Sequence, residues 1–256
     1  MLATVSSATI LGVEGRPVTV EVHVTTGLPT FTVVGLPDAS CREARDRVRA
    51  AIQSSQLTWP PKRVTVNLAP SAERKVGTGL DVAIALALLA ATDQLPREAL
   101  TDLGCIGELG LDGSVRPVAG AVSLVDALPD GVAVVPTACA RQARLVGRHH
   151  VRPVDRLAEL VLALRGEGPW PDPPEPLPPP AEPSPPDLAD VRGQPVARHA
   201  LEIAAAGGHH LLLVGSPGAG KTMLARRLPG LLPPLRPDEA LAVTRVLSAA
   251  GMEVPV

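Results

Sequence analysis

The sequence predicts an α+β N-terminal domain, a proline-rich linker and then the beginning of an α/β domain whose first strand feeds a glycine-rich loop. Three observations carry this. Val18, Val20, Val22 and Val24 alternate with Thr19, Glu21, His23 and Thr25, the period of a half-buried strand. Eleven of the eighteen residues from Pro169 to Pro186 are proline, which excludes helix and sheet and favours extended polyproline II. Beyond them follow a helical stretch at Gln194–Ala206, a Gly207-Gly208 break, an apolar run at His210–Val214, a glycine-rich loop and a helix from Gly220.

The elements of the first domain follow in order. A second alternation, Val64, Val66 and Leu68, predicts another strand. Between the two, Cys41, Ala44, Val48 and Ile52 share one face of an amphipathic helix. Ser40 and Glu43 have capping-box spacing at its start, with Asp38 as the alternative cap. Asp81–Ala91 is apolar all round and predicts a buried helix. Strands are expected near Gly104–Leu109 and Val132–Val135, a hairpin turn at Asp112-Gly113, and helices near Thr137–Val146 and Asp155–Leu164. The domain boundaries expected are 1–165 for the first domain, 166–186 for the linker and 187–256 for the second domain. At about 3.1 Å per residue the linker would reach roughly 50 Å. Trp170, at its start, is expected to pack on a domain.

Composition narrows the function classes. The net charge of −2 provides no global basic field, so charge alone neither implies nor excludes a nucleic-acid partner. Cys41, Cys105 and Cys139 are widely spaced and form no C-x-x-C pair; they are read as small buried apolar groups in a reducing compartment. The N-terminus has no basic-then-apolar leader pattern, and the most apolar stretch, Val82–Ala91, is far shorter than the roughly 20 residues of a membrane span. A soluble, cytoplasmic protein is expected. Arginine is used throughout, while lysine occurs only at Lys62, Lys75 and Lys221. In such a chain each retained lysine calls for a chemical reason.

One motif carries chemistry. Gly215, Ser216, Pro217, Gly218, Ala219, Gly220, Lys221 and Thr222 fit G-x-x-x-x-G-K-S/T without mismatch. The glycines let backbone N–H groups close around phosphates. The Lys221 ammonium is a compact charge for the β- and γ-phosphates, and the Thr222 hydroxyl is placed for Mg²⁺. Arginine, with a larger planar fork, would be a poor substitute there. ATP with Mg²⁺ is the expected ligand. Other candidates are weaker. His149-His150 and His209-His210 are adjacent pairs whose side chains point to opposite faces of a strand, which does not favour a metal site. Arg42, Arg45, Arg47 and Arg49, beside Glu43 and Asp46, are read as a solvated, salt-bridged helix face, with a DNA- or partner-contacting face as the alternative.

Two blocks resemble a known family. Val191–Gly215 (VRGQPVARHALEIAAAGGHHLLLVG), continuing through the loop to Thr222–Pro234 (TMLARRLPGLLPP), is similar to the Mg-chelatase-type AAA+ ATPases, and within them to the bacterial YifB/ComM group. Gly27–Asp38 (GLPTFTVVGLPD) and Val64–Pro70 (VTVNLAP) resemble the same group. The resemblance implies a Lon-protease-like N-terminal domain of the ribosomal-S5 type and a hexameric AAA+ motor, similar in ComM-type members to DNA helicases that promote branch migration. It also raises a Ser–Lys peptidase. The Lon-type nucleophile segment corresponds to Lys75–Asp81, with the serine position on or next to Gly79 and Thr78 the only hydroxyl nearby. The lysine segment corresponds to Arg116–Leu124, with its lysine position at about Val122. The domain is therefore read as a pseudo-peptidase serving assembly or partner contact.

Hydrolysis needs more than the loop. An acidic Walker B pair and an arginine finger are required to orient water and stabilise transferring charge, and no apolar strand ending in Asp-Glu follows Thr222. The chain reads as cut off inside its AAA+ domain, as a gene fragment or split gene would be, and residues 187–256 are expected to be poorly stabilised alone. A non-catalytic assembly module with a residual nucleotide site is the alternative to a motor's front part.

Overall fold

The computed structural model describes residues 1–171 and 185–252, so most of the predicted proline-rich linker lies outside the described residues. Two compact units result: residues 1–171 with 241–252, and residues 185–240.

The first unit holds β1 (Leu2–Leu11), β2 (Glu14–Thr25), β3 (Thr30–Val34), α1 (Ala39–Ser54), β4 (Arg63–Ala69) and α2 (Asp81–Ala91). After these come β5 (Leu103–Cys105), the hairpin β6 (Glu108–Leu109) and β7 (Val115–Arg116), α3 (Ala121–Asp126), β8 (Gly131–Pro136), α4 (Ala140–Arg144), β9 (His149–Val154) and α5 (Leu157–Arg165). Seven strands form one mainly parallel sheet in the order β3-β4-β2-β1-β5-β8-β9, with only the β4–β2 and β2–β1 pairings antiparallel.

Alternation sends successive residues to opposite faces, and the sheet uses both. Val5, Val20, Val22, Val66, Leu68 and Val134 point into one core with α1, α2 and α5. Ala8, Ala133 and Val135 point into a second core with α3 and α4. The valine alternations predicted from sequence are therefore β2 and β4, paired through Val20↔Leu68 and Val22↔Val66. Cys41, Ala44, Val48 and Ile52 are all buried, as the helical pattern requires. α2 matches its predicted bounds, and each of its eleven residues is buried. Asp38, the alternative cap, is the one used: its carboxylate accepts the Cys41 N–H at 2.8 Å.

β1 and β3 were not evident from the pattern. β1 lies in the middle of the sheet, yet its segment is rich in Ser, Thr and Ala. Its buried hydroxyls are satisfied instead of excluded: Ser7 donates to the Cys105 carbonyl at 2.7 Å, and Thr9 to that of Val76 at 3.0 Å. The predicted turn at Asp112-Gly113 closes the β6–β7 hairpin, with Gly113 at φ +81°. Trp170 packs against the first core beneath Arg152, whose guanidinium lies 5.2 Å from its ring centroid. All three cysteines are buried free thiols, and burial pushes the Cys41 thiol up to about 12.

The second unit has a small core, Leu188, Val191, Leu201 and Leu224, drawn from α6 (Pro195–Gly207), α7 (Lys221–Ala225) and the segment before them. α8 (Pro237–Ala249) begins in this unit. From Leu241 onward it belongs to the first, where Arg245 meets Asp126 at 2.5 Å and Ser248 donates to the Gln142 side-chain oxygen at 2.8 Å. One expectation fails here. His210–Val214, read as a buried strand, pairs with no strand among the described residues, and Leu212 and Val214 are 84% and 85% exposed. A buried parallel strand needs neighbours to accept and donate its ladder hydrogen bonds, and the unit has no other strand among the described residues to supply them. Among the described residues no helix is long and apolar enough to cross a membrane.

Candidate functional site

The glycine-rich loop runs from Gly215 to Gly220 and enters α7 at Lys221. Gly218 and Gly220 adopt φ of +81° and +80°, a left-handed geometry that glycine reaches without the Cβ penalty. A Cβ on Gly220 would come within 3.0 Å of the Gln194 amide nitrogen. That amide donates to the Ala219 carbonyl at 3.1 Å, tying the start of α6 to the loop. Gln194 itself stands at φ +51° as the residue before α6, with Pro195 at the first helical position. The sequence pattern did not single it out, because nothing local to Gln194 signals a contact twenty-five residues away.

The Lys221 ammonium folds over the loop and donates to the carbonyls of Gly215 and Ser216, both at 2.8 Å. Within the loop the Ala219 N–H reaches the Ser216 carbonyl at 3.3 Å. Gly215 to Ala219 and Thr222 are exposed, and Gly220 and Lys221 half-exposed. The eight predicted residues are contiguous and largely open to solvent, with the Lys221 ammonium held on the first two. α7 is only five residues long, so the loop and Lys221, more than a helix dipole, define the site's charge.

A second cluster links the helices of the first unit. The Arg47 guanidinium grips the Asp81 carboxylate from two nitrogens, Nε to Oδ2 at 2.6 Å and Nη2 to Oδ1 at 3.0 Å, and Nη2 also donates to the Ser40 carbonyl at 2.8 Å. Asp81 accepts the Leu109 N–H at 3.2 Å as well, so one carboxylate joins α1, α2 and the β6 hairpin. Burial outweighs the attraction of Arg47 and pushes the Asp81 carboxyl up to about 6. The reading of the α1 arginines as one solvated face is corrected for Arg47, because its partner lies on another helix and is buried.

The two segments expected to correspond to a Ser–Lys dyad line one cleft. Thr78 and Gly79 line a cleft of about 300 Å³ with Thr9, Glu108 and Val118. Val122 is fully buried on α3. Lys75 has a structural role instead. It is wholly buried, and its ammonium donates to the Glu73 carbonyl at 2.8 Å and to that of Pro70. Burial pulls its pKa below the ordinary lysine value.

Comparison with known proteins bears on both units. The model described as subunit ChlI of Mg-chelatase matches residues 20–136, and that described as magnesium chelatase, subunit ChlI, matches residues 187–255. YifB of Escherichia coli K12 is 42% identical over 254 residues, covering 98% of this chain and 50% of the relative. The competence protein ComM of Haemophilus influenzae is 40% identical over 259 residues, covering 99% of this chain and 51% of the relative. The chain belongs to the YifB/ComM family of Mg-chelatase-like proteins. An uncharacterized protein of Mycobacterium tuberculosis H37Rv is 45% identical over 249 residues, 96% of this chain and 49% of its own. This YifB/ComM family chain thus spans about half the length of the curated relatives it matches. One matched region takes in α1, β4 and α2, and the other the whole of Gly215–Thr222.

The retained Lys75 now has a chemical reason, and it yields a prediction. Lys75→Met keeps the stem and removes the ammonium, leaving two inward-facing carbonyls without their donor. A loss of about 2 kcal/mol in unfolding free energy is expected, read from the urea midpoint. An unchanged midpoint would show that the ammonium contributes nothing to this loop.

Proposed function

We propose that Gly215–Thr222 binds ATP with Mg²⁺, and that the chain is the front part of a hexameric, ATP-driven motor acting on DNA, as ComM-like helicases do. The observation that supports the nucleotide site is the loop itself. Two left-handed glycines let its backbone close on a ligand, and Lys221 is held at its mouth by carbonyls that a phosphate would replace as partners. The residues fit the ligand: Lys221 would pair with the β- and γ-phosphates, Thr222 would place its hydroxyl on Mg²⁺, and open backbone N–H groups would supply the remaining donors. Bound Mg-ATP supplies the chemistry of phosphoryl transfer. The chain's own part is to hold and orient the phosphates, and the acidic pair and arginine finger that would complete hydrolysis are not among its motifs. The first unit, in this reading, is a Lon-like pseudo-peptidase that serves assembly or partner contact.

Recognition through phosphates makes a specific prediction. A fluorescent ATP analogue should be displaced by ATP and by inorganic tripolyphosphate but not by adenosine, and EDTA should weaken its binding several-fold. Displacement by adenosine as effective as by ATP would place the binding elsewhere.

A further inference from the structure

The first unit carries a cleft that the nucleotide site does not use. It lies where α1 meets β3, the terminal strand of the sheet, and the loop before β4. Arg45, Arg49 and Gln53 fall at i, i+4 and i+8 of α1 and so form one stripe along its wall. Phe31 of β3 and Trp59 of the loop also line it, packed partly against the first core, with ring centroids 5.6 Å apart and planes tilted by 33°. Pro60, Pro61 and Lys62 add to the lining, and the volume is about 310 Å³.

Three features set this cleft apart from ordinary edge packing. Phe31 is the only phenylalanine of the chain and Trp59 one of two tryptophans, yet both remain half-exposed beside one another. No acidic side chain lines the cleft among the described residues. Its three cations are also poorly compensated: Arg45 has only its exposed neighbour Asp46, at 4.0 Å, while Arg49 and Lys62 have no ion pair among the described residues. An aromatic pair that served packing alone would be covered, and arginines that served solubility alone would stand among carboxylates, as Arg97 does with Asp93.

Half-exposed rings flanked by poorly compensated cations suit a ligand with flat faces and regularly spaced negative charge. We propose that this cleft binds single-stranded nucleic acid, stacking an unpaired base on Trp59 and placing flanking phosphates against Arg45, Arg49 and Lys62. A duplex keeps its base faces covered and could use only the cations. The cleft and the proposed nucleotide loop belong to different units, and neither assignment depends on the other.

The test uses the whole chain. Arg45→Gln/Arg49→Gln/Lys62→Gln removes the three exposed charges, and Arg74→Gln/Arg97→Gln/Arg144→Gln removes the same number of exposed charges from elsewhere in the unit. Fluorescence anisotropy with labelled oligo-dT and oligo-U of about 20 nucleotides reads the affinity. The cleft variant is expected to bind at least tenfold more weakly, with a log–log salt slope flatter by about two, while the control variant stays within about twofold of wild type. In a Trp170→Phe background Trp59 is the sole tryptophan, and saturating oligonucleotide should quench its emission over the same concentration range. That readout needs no substitution of the packed Trp59. The tighter of the two oligonucleotides identifies DNA or RNA as the source. Equal loss in both triple variants, binding without quenching, or no binding to either strand would overturn the proposal. A poly-glutamate peptide that binds as tightly and quenches as strongly would also overturn it, by assigning the cleft to an acidic protein segment.

Discussion

Arg47→Ala is expected to cost the first unit about 3–5 kcal/mol at pH 7.5, a larger stability effect than truncation of Arg45 or Arg49. The cost is not the loss of an attraction alone. Asp81 is 1% exposed and begins α2, and without Arg47 its carboxylate would keep, among the described residues, only the Leu109 N–H as a partner. A charge left there has neither water nor a counter-ion. Arg47→Ala with Asp81→Asn should recover much of the loss, because the amide carries no charge into the same site.

The pH dependence has a definite sign. The Asp81 carboxyl rises in the fold from its ordinary 3.8 to about 6, because burial outweighs Arg47. A raised carboxyl pKa means that the folded state favours the protonated form. Its contribution is fully present below about pH 4 and is lost as pH rises through about 6, the reverse of an exposed salt-bridged aspartate. The shift corresponds to about 3 kcal/mol. Thermal unfolding of Asp81→Asn against wild type should therefore move in favour of the variant by about that amount between pH 4 and pH 7. The penalty of Arg47→Ala should shrink over the same interval as pH falls. A difference independent of pH would mean that Asp81 enters the fold already ionised.

The residues that the sequence made legible, and those it hid, follow one physical division. Strands built from alternating valines and helices built from a single apolar face are local patterns, so β2, β4, α1 and α2 could be read directly. β1 escaped because its buried positions include Ser7 and Thr9, whose hydroxyls are satisfied by carbonyls far along the chain. Arg47 looked like its neighbours Arg45 and Arg49 because the difference is a carboxylate thirty-four residues away. The aromatic cleft was hidden for the same reason: Phe31, Trp59 and the α1 stripe become neighbours only when β3 takes the sheet's edge beside α1. The glycine-rich loop was the opposite case. Its eight residues are contiguous, so the motif was legible before any fold was known. The strand expected ahead of it was not formed, because apolar character alone cannot supply partner strands.

That loop carries the proposed nucleotide function, and Lys221 is its only side-chain cation. Lys221→Ala leaves the glycines and the backbone amides in place but removes the charge facing the phosphates. The ammonium lies at the surface, bonded among the described residues only to the two loop carbonyls of Gly215 and Ser216, so the fold should tolerate its loss. Charge-assisted hydrogen bonds of this kind are worth about 1.5–3 kcal/mol each, which corresponds to at least a tenfold loss of affinity. Lys221→Arg should recover little of it, since the planar fork does not replace a point charge in a closed loop. The most direct measurement is isothermal titration of Mg-ATP into the wild-type chain and into Lys221→Ala, with circular dichroism confirming that both are folded. Saturable one-site binding to wild type, weakened at least tenfold in the variant, is the result expected. Equal affinity of the two folded proteins for Mg-ATP would contradict the assignment of Gly215–Thr222 as the nucleotide site.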